Sequence, residues 1–394
     1  MSAKGAAGPP PRGAEVDLER TPEQETLAET VARFLADNAP VRPYVRSMLA
    51  DPAGFSPEVW KGLAALGLCG LMVPEAWGGS GMGLVDMGVV LEELGRAVHP
   101  GPFLASAVAA TRALCLVGRE DEAAALLGPM AEGSTVATVA LLEPGSRWRW
   151  QARATRAEAG PGGWRLSGAK AFVPDASAAD LILVPAADGK GVGLFAVEAG
   201  AEGLGVEPLA SVDQTRRLAH LSLDRVPARR LGQDRSPAEV ARALDQVADA
   251  YLVAMAADGL GAAEQALQMA VAYATDRVQF GVPIGSFQAV QHLCSDMLQW
   301  VELARAGVSY ALWAADRAGA DEAHRAATMA KAYAADALPR VGASAIQVHG
   351  GIGFTWEHDV HLYYKRLLGL QQAHGPASDH LEELARLVMD AGPA

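Results

Sequence analysis

The stretch that decides the reading is Tyr273-Ala-Thr-Asp-Arg277-Val-Gln-Phe280-Gly281-Val-Pro-Ile-Gly-Ser-Phe-Gln288-Ala-Val-Gln291-His292. It joins two helical patterns through a Gly/Pro turn, which sets Arg277 at the end of one helix and Gln288 at the start of the next. An arginine so placed can make forked bonds to a diphosphate, and Phe280 can pack against a ring system. Taken alone, the string also suits an ordinary capped helix junction.

Outward from this junction the period of the chain changes twice. Thr21, Pro22 and Gln24 form an N-cap, a first-turn proline and a capping-box partner, with Leu27, Val31, Phe34 and Leu35 on one face behind them. Ser56-Pro57 opens a second helix that ends at Pro74–Gly79, and helical patterns continue over Val85–Leu94 and Ala105–Leu127. From Ser134 to Leu231 the pattern becomes short apolar or β-branched runs broken by Gly, Pro and Asp: Thr135–Leu142, Leu181–Pro185 and Val192–Val197. After Ser236-Pro237 the helical period returns over Ala238–Asp276, Phe287–Arg317, Asp321–His349 and Ser378–Met389. This order predicts an α+β chain: a tail over 1–20, a helical domain over 21–133, a central antiparallel β domain over 134–232 and a C-terminal four-helix bundle over 233–394.

Composition narrows the function classes. Half of the 394 residues are apolar, too many for a disordered chain, and no apolar run is long enough to suggest membrane insertion. The formal charge of −13 speaks against non-specific nucleic-acid binding. Met1–Val16 lacks the pattern of a secretion signal, so a cytoplasmic location is expected. Cys69, Cys115 and Cys294 read as core thiols. Glu357-His358-Asp359-Val360-His361 brings two histidines onto one helical face, but with no further ligands at a recognisable spacing, so no metal site is expected. In Gln347-Val348-His349-Gly350-Gly351-Ile352-Gly353, the missing Cβ atoms suit either close backbone approach to a phosphate or tight helix packing. No GxGxxG follows a strand, so no nicotinamide site is indicated.

The Tyr273–His292 string resembles the acyl-CoA dehydrogenase family. The likeness extends to Leu66-Gly67 through Gly79, Glu92–Arg96, Glu143-Pro144-Gly145-Ser146, Gly168–Phe172 and Gln347–Gly353, in the family's order. It implies the acyl-CoA dehydrogenase fold, FAD as cofactor, acyl-CoA as substrate and an electron-transfer flavoprotein or similar acceptor. It also implies that Arg277, Phe280, Gln288, Gln347, Val348, His349, Gly350 and Gly351 serve FAD bound mainly by a neighbouring subunit.

The resemblance further implies a glutamate that removes the proton alpha to the thioester carbonyl while the β hydrogen leaves as hydride. A carboxylate suits that step because burial can tune its pKa. In the commoner arrangement the base lies ten residues after the paired tyrosines, which is His374; in the other it lies 26 residues before the arginine, which is Tyr251. Neither is a carboxylate. Asp249 and Asp258 flank Tyr251 but are displaced around or along the helix. Where the family often has Trp-Ile-Thr, this chain has Phe172-Val173-Pro174, and its preceding loop carries Arg147 in place of an acid. The resemblance therefore leads to one expectation: a subunit that completes the FAD site of a homologous catalytic partner, as an α2β2 heterotetramer of the kind used on steroid side-chain CoA esters. The alternatives are a self-sufficient homotetramer using His374 or another base, a non-catalytic acyl-CoA binding or scaffold protein, and an oxygen-using flavin enzyme.

Overall fold

The capping box at Thr21 forms as its residues dictate: Gln24 N donates to Thr21 Oγ1 at 3.3 Å, and Thr21 N donates to Gln24 Oε1 at 3.1 Å. The computed structural model describes residues 18–148, 150–151 and 154–390. Its first layer holds α1 (Pro22–Asn38), α2 (Arg46–Met48), α3 (Pro57–Ala65), α4 (Leu84–Arg96), α5 (Thr111–Val117) and α6 (Glu120–Ala131). Ser56 caps α3 by accepting from Glu58 N and Val59 N. The helical run expected over Ala105–Leu127 is interrupted. A π-helical stretch, Leu104–Ala110, leads into α5, and Gly118 turns the chain out before α6.

The central strands are β1 (Ala137–Val139), β2 (Arg156–Gly160), β3 (Gly163–Pro174), β4 (Leu181–Ala187), β5 (Val192–Glu198), β6 (Leu204–Leu209) and β7 (Leu218–Leu231). Pairings run β4–β2–β3–β7–β5 and return from β5 to β4, so five strands close on themselves, with β1 and β6 attached. Closure leaves those strands without a free edge. Most pairs are antiparallel as expected, but β1 lies parallel to β4, and β2 meets β4 in parallel at Arg156 and Ala187. Asp180 explains the first exception. Its carboxylate accepts from Val136 N at 2.8 Å and its own N donates to Val136 O at 2.8 Å, so both strands start side by side in one direction.

The C-terminal part is built from α7 (Pro237–Asp276), α8 (Gln288–Arg317), α9 (Ala320–His349) and α10 (Val360–Gln372). α11 (Ala377–Asp390) lies against α9. A two-stranded hairpin, β8 (Val278–Gln279) with β9 (Val282–Pro283), links α7 to α8. α7 crosses α4 at glycine contacts: a Cβ on Gly95 would come within 1.9 Å of Asp258 O, and one on Gly261 within 1.8 Å of Glu92 O. Neither helix could approach so closely with larger residues there.

The three parts meet at one buried guanidinium. Arg366 of α10 donates to both oxygens of Asp258 at 2.9 Å, to Thr215 Oγ1 at 2.6 Å and to His99 O at 3.1 Å, and pairs with Asp213 at 3.0 Å. Arg216 adds bonds to Asp258 at 2.6 Å and to Gly101 O at 3.2 Å. The first helical layer, the β6–β7 loop and two bundle helices thus share one ion cluster. Removing one member of such a cluster leaves the others charged, buried and unpaired. Arg366→Met is expected to lower stability by about 3–5 kcal/mol, measured by denaturant unfolding, whereas Arg340→Met on the exposed α9 surface should cost about 0–1 kcal/mol.

Candidate active site

Helix direction gathers the residues expected to serve a cofactor. α7 ends at Arg277, α8 starts at Gln288 and, running the opposite way, is followed by α9, which returns to the same end at His349. Stacking of Tyr273 on His349, with centroids 4.6 Å apart, confirms the juxtaposition. Arg277 N donates to Tyr273 O and closes α7. Its guanidinium is exposed and makes no hydrogen bond or ion pair among the described residues. Phe280, at the hairpin tip, is 91% exposed. Gln288, Gln347, Gly350 and Gly351 are exposed as well. Gly350 has φ +63°, and a Cβ on Gly350 or Gly351 would meet nothing within 4 Å, so both backbones face open space.

Two residues of the expected set point elsewhere. Val348 and His349 are buried, and His349 hydrogen-bonds through Nδ1 to Ala345 O at 2.7 Å. Tight packing thus explains these two residues, and open backbone explains the glycines beside them. The outward surface offers a free cationic fork, an exposed ring, two amides and an uncovered glycine turn. That donor set fits the diphosphate side of FAD.

Tyr251 and His374, the two positions at which the resemblance would place a base, also come together. Tyr251 on α7 and His374 after α10 are in edge-to-face contact, with centroids 5.1 Å apart. They share a small cavity with Ala109, Val139, Leu141, Leu142, Phe172 and Pro174, whose free volume is about 10 Å³. That is room for no more than about one water. Burial pushes the imidazolium of His374 down to about 3, with the Lys331 and His380 charges acting in the same direction. Burial likewise raises the Tyr251 phenol well above its ordinary value. At neutral pH both side chains are uncharged. Asp249 hydrogen-bonds to His324 Nδ1 at 2.8 Å, and Asp258 belongs to the Arg366 cluster, so both flanking carboxylates are engaged away from this cavity.

Beside it, against Phe172, lies a more open groove of about 690 Å³. Pro144, Gly145, Lys170, Glu207, His220 and Ser222 contribute to its walls. Phe172 has φ +52°, which turns its ring out of the β3 ladder to lie between Trp148 and His220, each 5.3 Å away. Pro174 O accepts from Thr138 Oγ1 at 2.6 Å. Glu143 ties the preceding loop in place, accepting from Ala154 N at 2.8 Å, Thr155 N at 2.9 Å and Lys170 Nζ at 3.3 Å. Burial pushes the Lys170 ammonium down to about 8. The pair Glu143–Lys170 sits inside two motifs that carry the family resemblance, yet a lone lysine in an alternating strand reads as surface. Trp148 and His220 had no sequence signal of a role.

The architecture of helical layer, closed sheet and helical bundle is the acyl-CoA dehydrogenase fold. The acyl-CoA dehydrogenase N-terminal domain model matches residues 21–134 and the C-terminal domain model matches 252–389. The chain belongs to the acyl-CoA dehydrogenase family. It is 35% identical to acyl-CoA dehydrogenase IpdE2 of Mycolicibacterium smegmatis over 92% of this chain and 97% of that protein. Among solved structures it resembles a chain of the ChsE4-ChsE5 complex from Mycobacterium tuberculosis, with a TM-score of 0.86 and 30% identity over 96% of this chain and 100% of that chain. It also resembles the Tcur3481-Tcur3483 steroid ACAD, with a TM-score of 0.85 and 34% identity over 94% and 99% of the two chains.

His374 is held neutral in the fold but ionises near 6.5 when unfolded, so the unfolded state binds the extra proton as pH falls. Its contribution is intact above about pH 6.5 and is lost progressively from there toward pH 3, at up to about 1.4 kcal/mol per pH unit. Denaturant unfolding of His374→Gln across that window is expected to show a shallower loss of stability than the parent chain.

Proposed function

We propose that this chain is the cofactor-completing subunit of a two-chain acyl-CoA dehydrogenase, acting on CoA esters of steroid side chains with a homologous partner that carries the glutamate. The observation that carries this reading is the contrast between two places in one bundle. The donor set at the Arg277 end is outward and uncommitted, whereas the inner cavity at Tyr251 and His374 is lined by no carboxylate among the described residues, Asp175 standing behind the wall after Pro174, and has almost no free volume. Similarity to the ChsE4-ChsE5 complex and to a steroid ACAD supports a partner and a substrate class of this kind.

In the proposed assembly Arg277 would hold a diphosphate by a forked contact, Phe280 would cover a ring, and the Gly350-Gly351 backbone would approach the phosphates. Bound FAD supplies the hydride acceptor for alpha,beta-dehydrogenation. The partner's base would take the alpha proton, and an electron-transfer flavoprotein or similar acceptor would reoxidise the enzyme.

Arg277→Ala is expected to lower FAD affinity of the complete assembly somewhat more than tenfold, which corresponds to about 2 kcal/mol for a charge-assisted contact. Equilibrium titration of the stripped assembly measures this, and unchanged affinity with the assembly intact would remove Arg277 from the site.

The groove beside Phe172 favours a second reading, in which a homomeric enzyme seats its own flavin there. Expression of the chain alone and with its homologous partner separates the two. The two-chain reading expects substoichiometric FAD and only trace acyl-CoA oxidation from the chain alone, since a general base typically contributes roughly 10²- to 10⁴-fold. One FAD per chain with full turnover in isolation would establish the homomeric enzyme.

A further inference from the structure

Lys331 lies in the middle of α9 between Ala330 and Ala332, and none of its surface is exposed. Its Nζ donates to Leu370 O at 2.9 Å and to Gly375 O at 3.0 Å. No carboxylate pairs with it among the described residues, and burial pushes its ammonium down to about 7. The two acceptors bracket a single turn. Leu370 belongs to the last turn of α10, whose carbonyls lack helical partners and favour a cation, and Gly375 immediately follows His374.

The turn has an unusual backbone. His374 sits at φ +55° and Gly375 at φ +103°, the left-handed region that a residue with a Cβ adopts only when its surroundings impose it. His374 O accepts from His380 Nε2 of α11 at 3.0 Å, a second tie from a different element. The groups facing the His374 ring are therefore Tyr251 from α7, Lys331 from α9 and His380 from α11, with Asp379 acting on His380. Held this way, the imidazole packs edge-to-face on Tyr251 and lines the small cavity with it.

We propose that Lys331 is a positioning residue: its two bonds to the ends of the 370–375 turn hold His374 against Tyr251 and keep this chain's inner acyl cavity shut. The proposal rests on reading that cavity as the chain's own acyl site. An ammonium suits the task because one atom supplies several donors and reaches across the bundle to two carbonyls that no backbone donor satisfies from that side. Without it, two buried acceptors lose their partner, and the turn gains by moving toward water. The imidazole would then leave its shielded place, and loss of the neighbouring positive charge would raise its pKa in the same direction.

Full-length chain, in the assembly in which it purifies, tests this with Lys331→Met and Lys331→Arg. The ring titration of His374 is followed by NMR of ring-labelled histidine, its resonance assigned by loss in His374→Gln. Hydrogen exchange of residues 371–377 is followed by mass spectrometry. In Lys331→Met the His374 midpoint should rise by about one pH unit or more, and exchange at 371–377 should accelerate about tenfold, while amides around Tyr251 keep their protection. Lys331→Arg, which keeps a cationic donor, should behave as the parent. A folded Lys331→Met with the His374 midpoint and local exchange unchanged overturns the proposal. Should Lys331→Met fail to fold, Lys331→Gln, a shorter neutral donor, decides by the same two readings: an upward midpoint with faster exchange supports the proposal, and no change overturns it. Neither reading involves flavin, CoA or a partner, so a wrong subunit assignment and a wrong role for Lys331 give separate outcomes.

Discussion

Asp258 has to be satisfied by two guanidinium groups inside the protein, and much of the architecture follows from that demand. Its carboxylate sits on α7 where the helix crosses α4 at glycine-to-carbonyl distances, so no water layer separates the first helical layer from the bundle. The cations come from elsewhere, Arg366 from α10 and Arg216 from the loop before β7. Charges this deep are tolerated only when each finds its partners, and these partners are spread over three regions of the chain. The closed sheet is thereby fixed against the bundle, which in turn fixes where Phe172 and the β3 end stand relative to Tyr251.

The same arrangement explains why the two candidate regions differ in character. The inner cavity lies where the sheet, α7 and the α10–α11 turn converge, and burial there favours the neutral forms of its groups. Tyr251 and His374 are both held uncharged there by burial. The Arg277 end is formed by helix termini and the two-stranded β8–β9 hairpin, which have unsatisfied backbone groups and little to cover them. Exposed Val278, Phe280, Val282 and Phe287 surround it, an apolar rim around a cationic group. Such a surface has the composition of an interface more than of a solvated tip.

Local chemistry made most of the fold legible in the sequence. The caps at Thr21, Ser56 and Ser236 each form a helix start, and the change to short β-branched runs marks the sheet. The resemblance, not the helical period, picks out Arg277, Gln288 and the Gln347–Gly351 segment; helix alternation explains only why they meet, since α8 and α9 run out and back and return Gly350 to the end where Arg277 lies. Other features depended on distant partners. The parallel β1–β4 pair hangs on Asp180. Lys331 and Lys170 were illegible for a common reason. A single lysine in a helical or alternating pattern reads as the solvated face, and only tertiary contacts reveal the carbonyls or the carboxylate that keep it inside.

The alternation of α7, α8 and α9 also leaves the opposite end of the bundle with no part in any of this chemistry. The reversal from α8 to α9 runs through Ala318 and Gly319, about 45 Å from the Arg277 end at 1.5 Å per residue over a 30-residue helix. Nothing lies within 4 Å of where a Gly319 Cβ would stand, although Asp316, three residues earlier, is occupied in capping α4 through Leu84 N and Val85 N. Gly319 is therefore a natural attachment point. A dye, an affinity handle or an inserted peptide grafted there would stand a full helix length from the Arg277 end and leave the cap at Asp316 untouched.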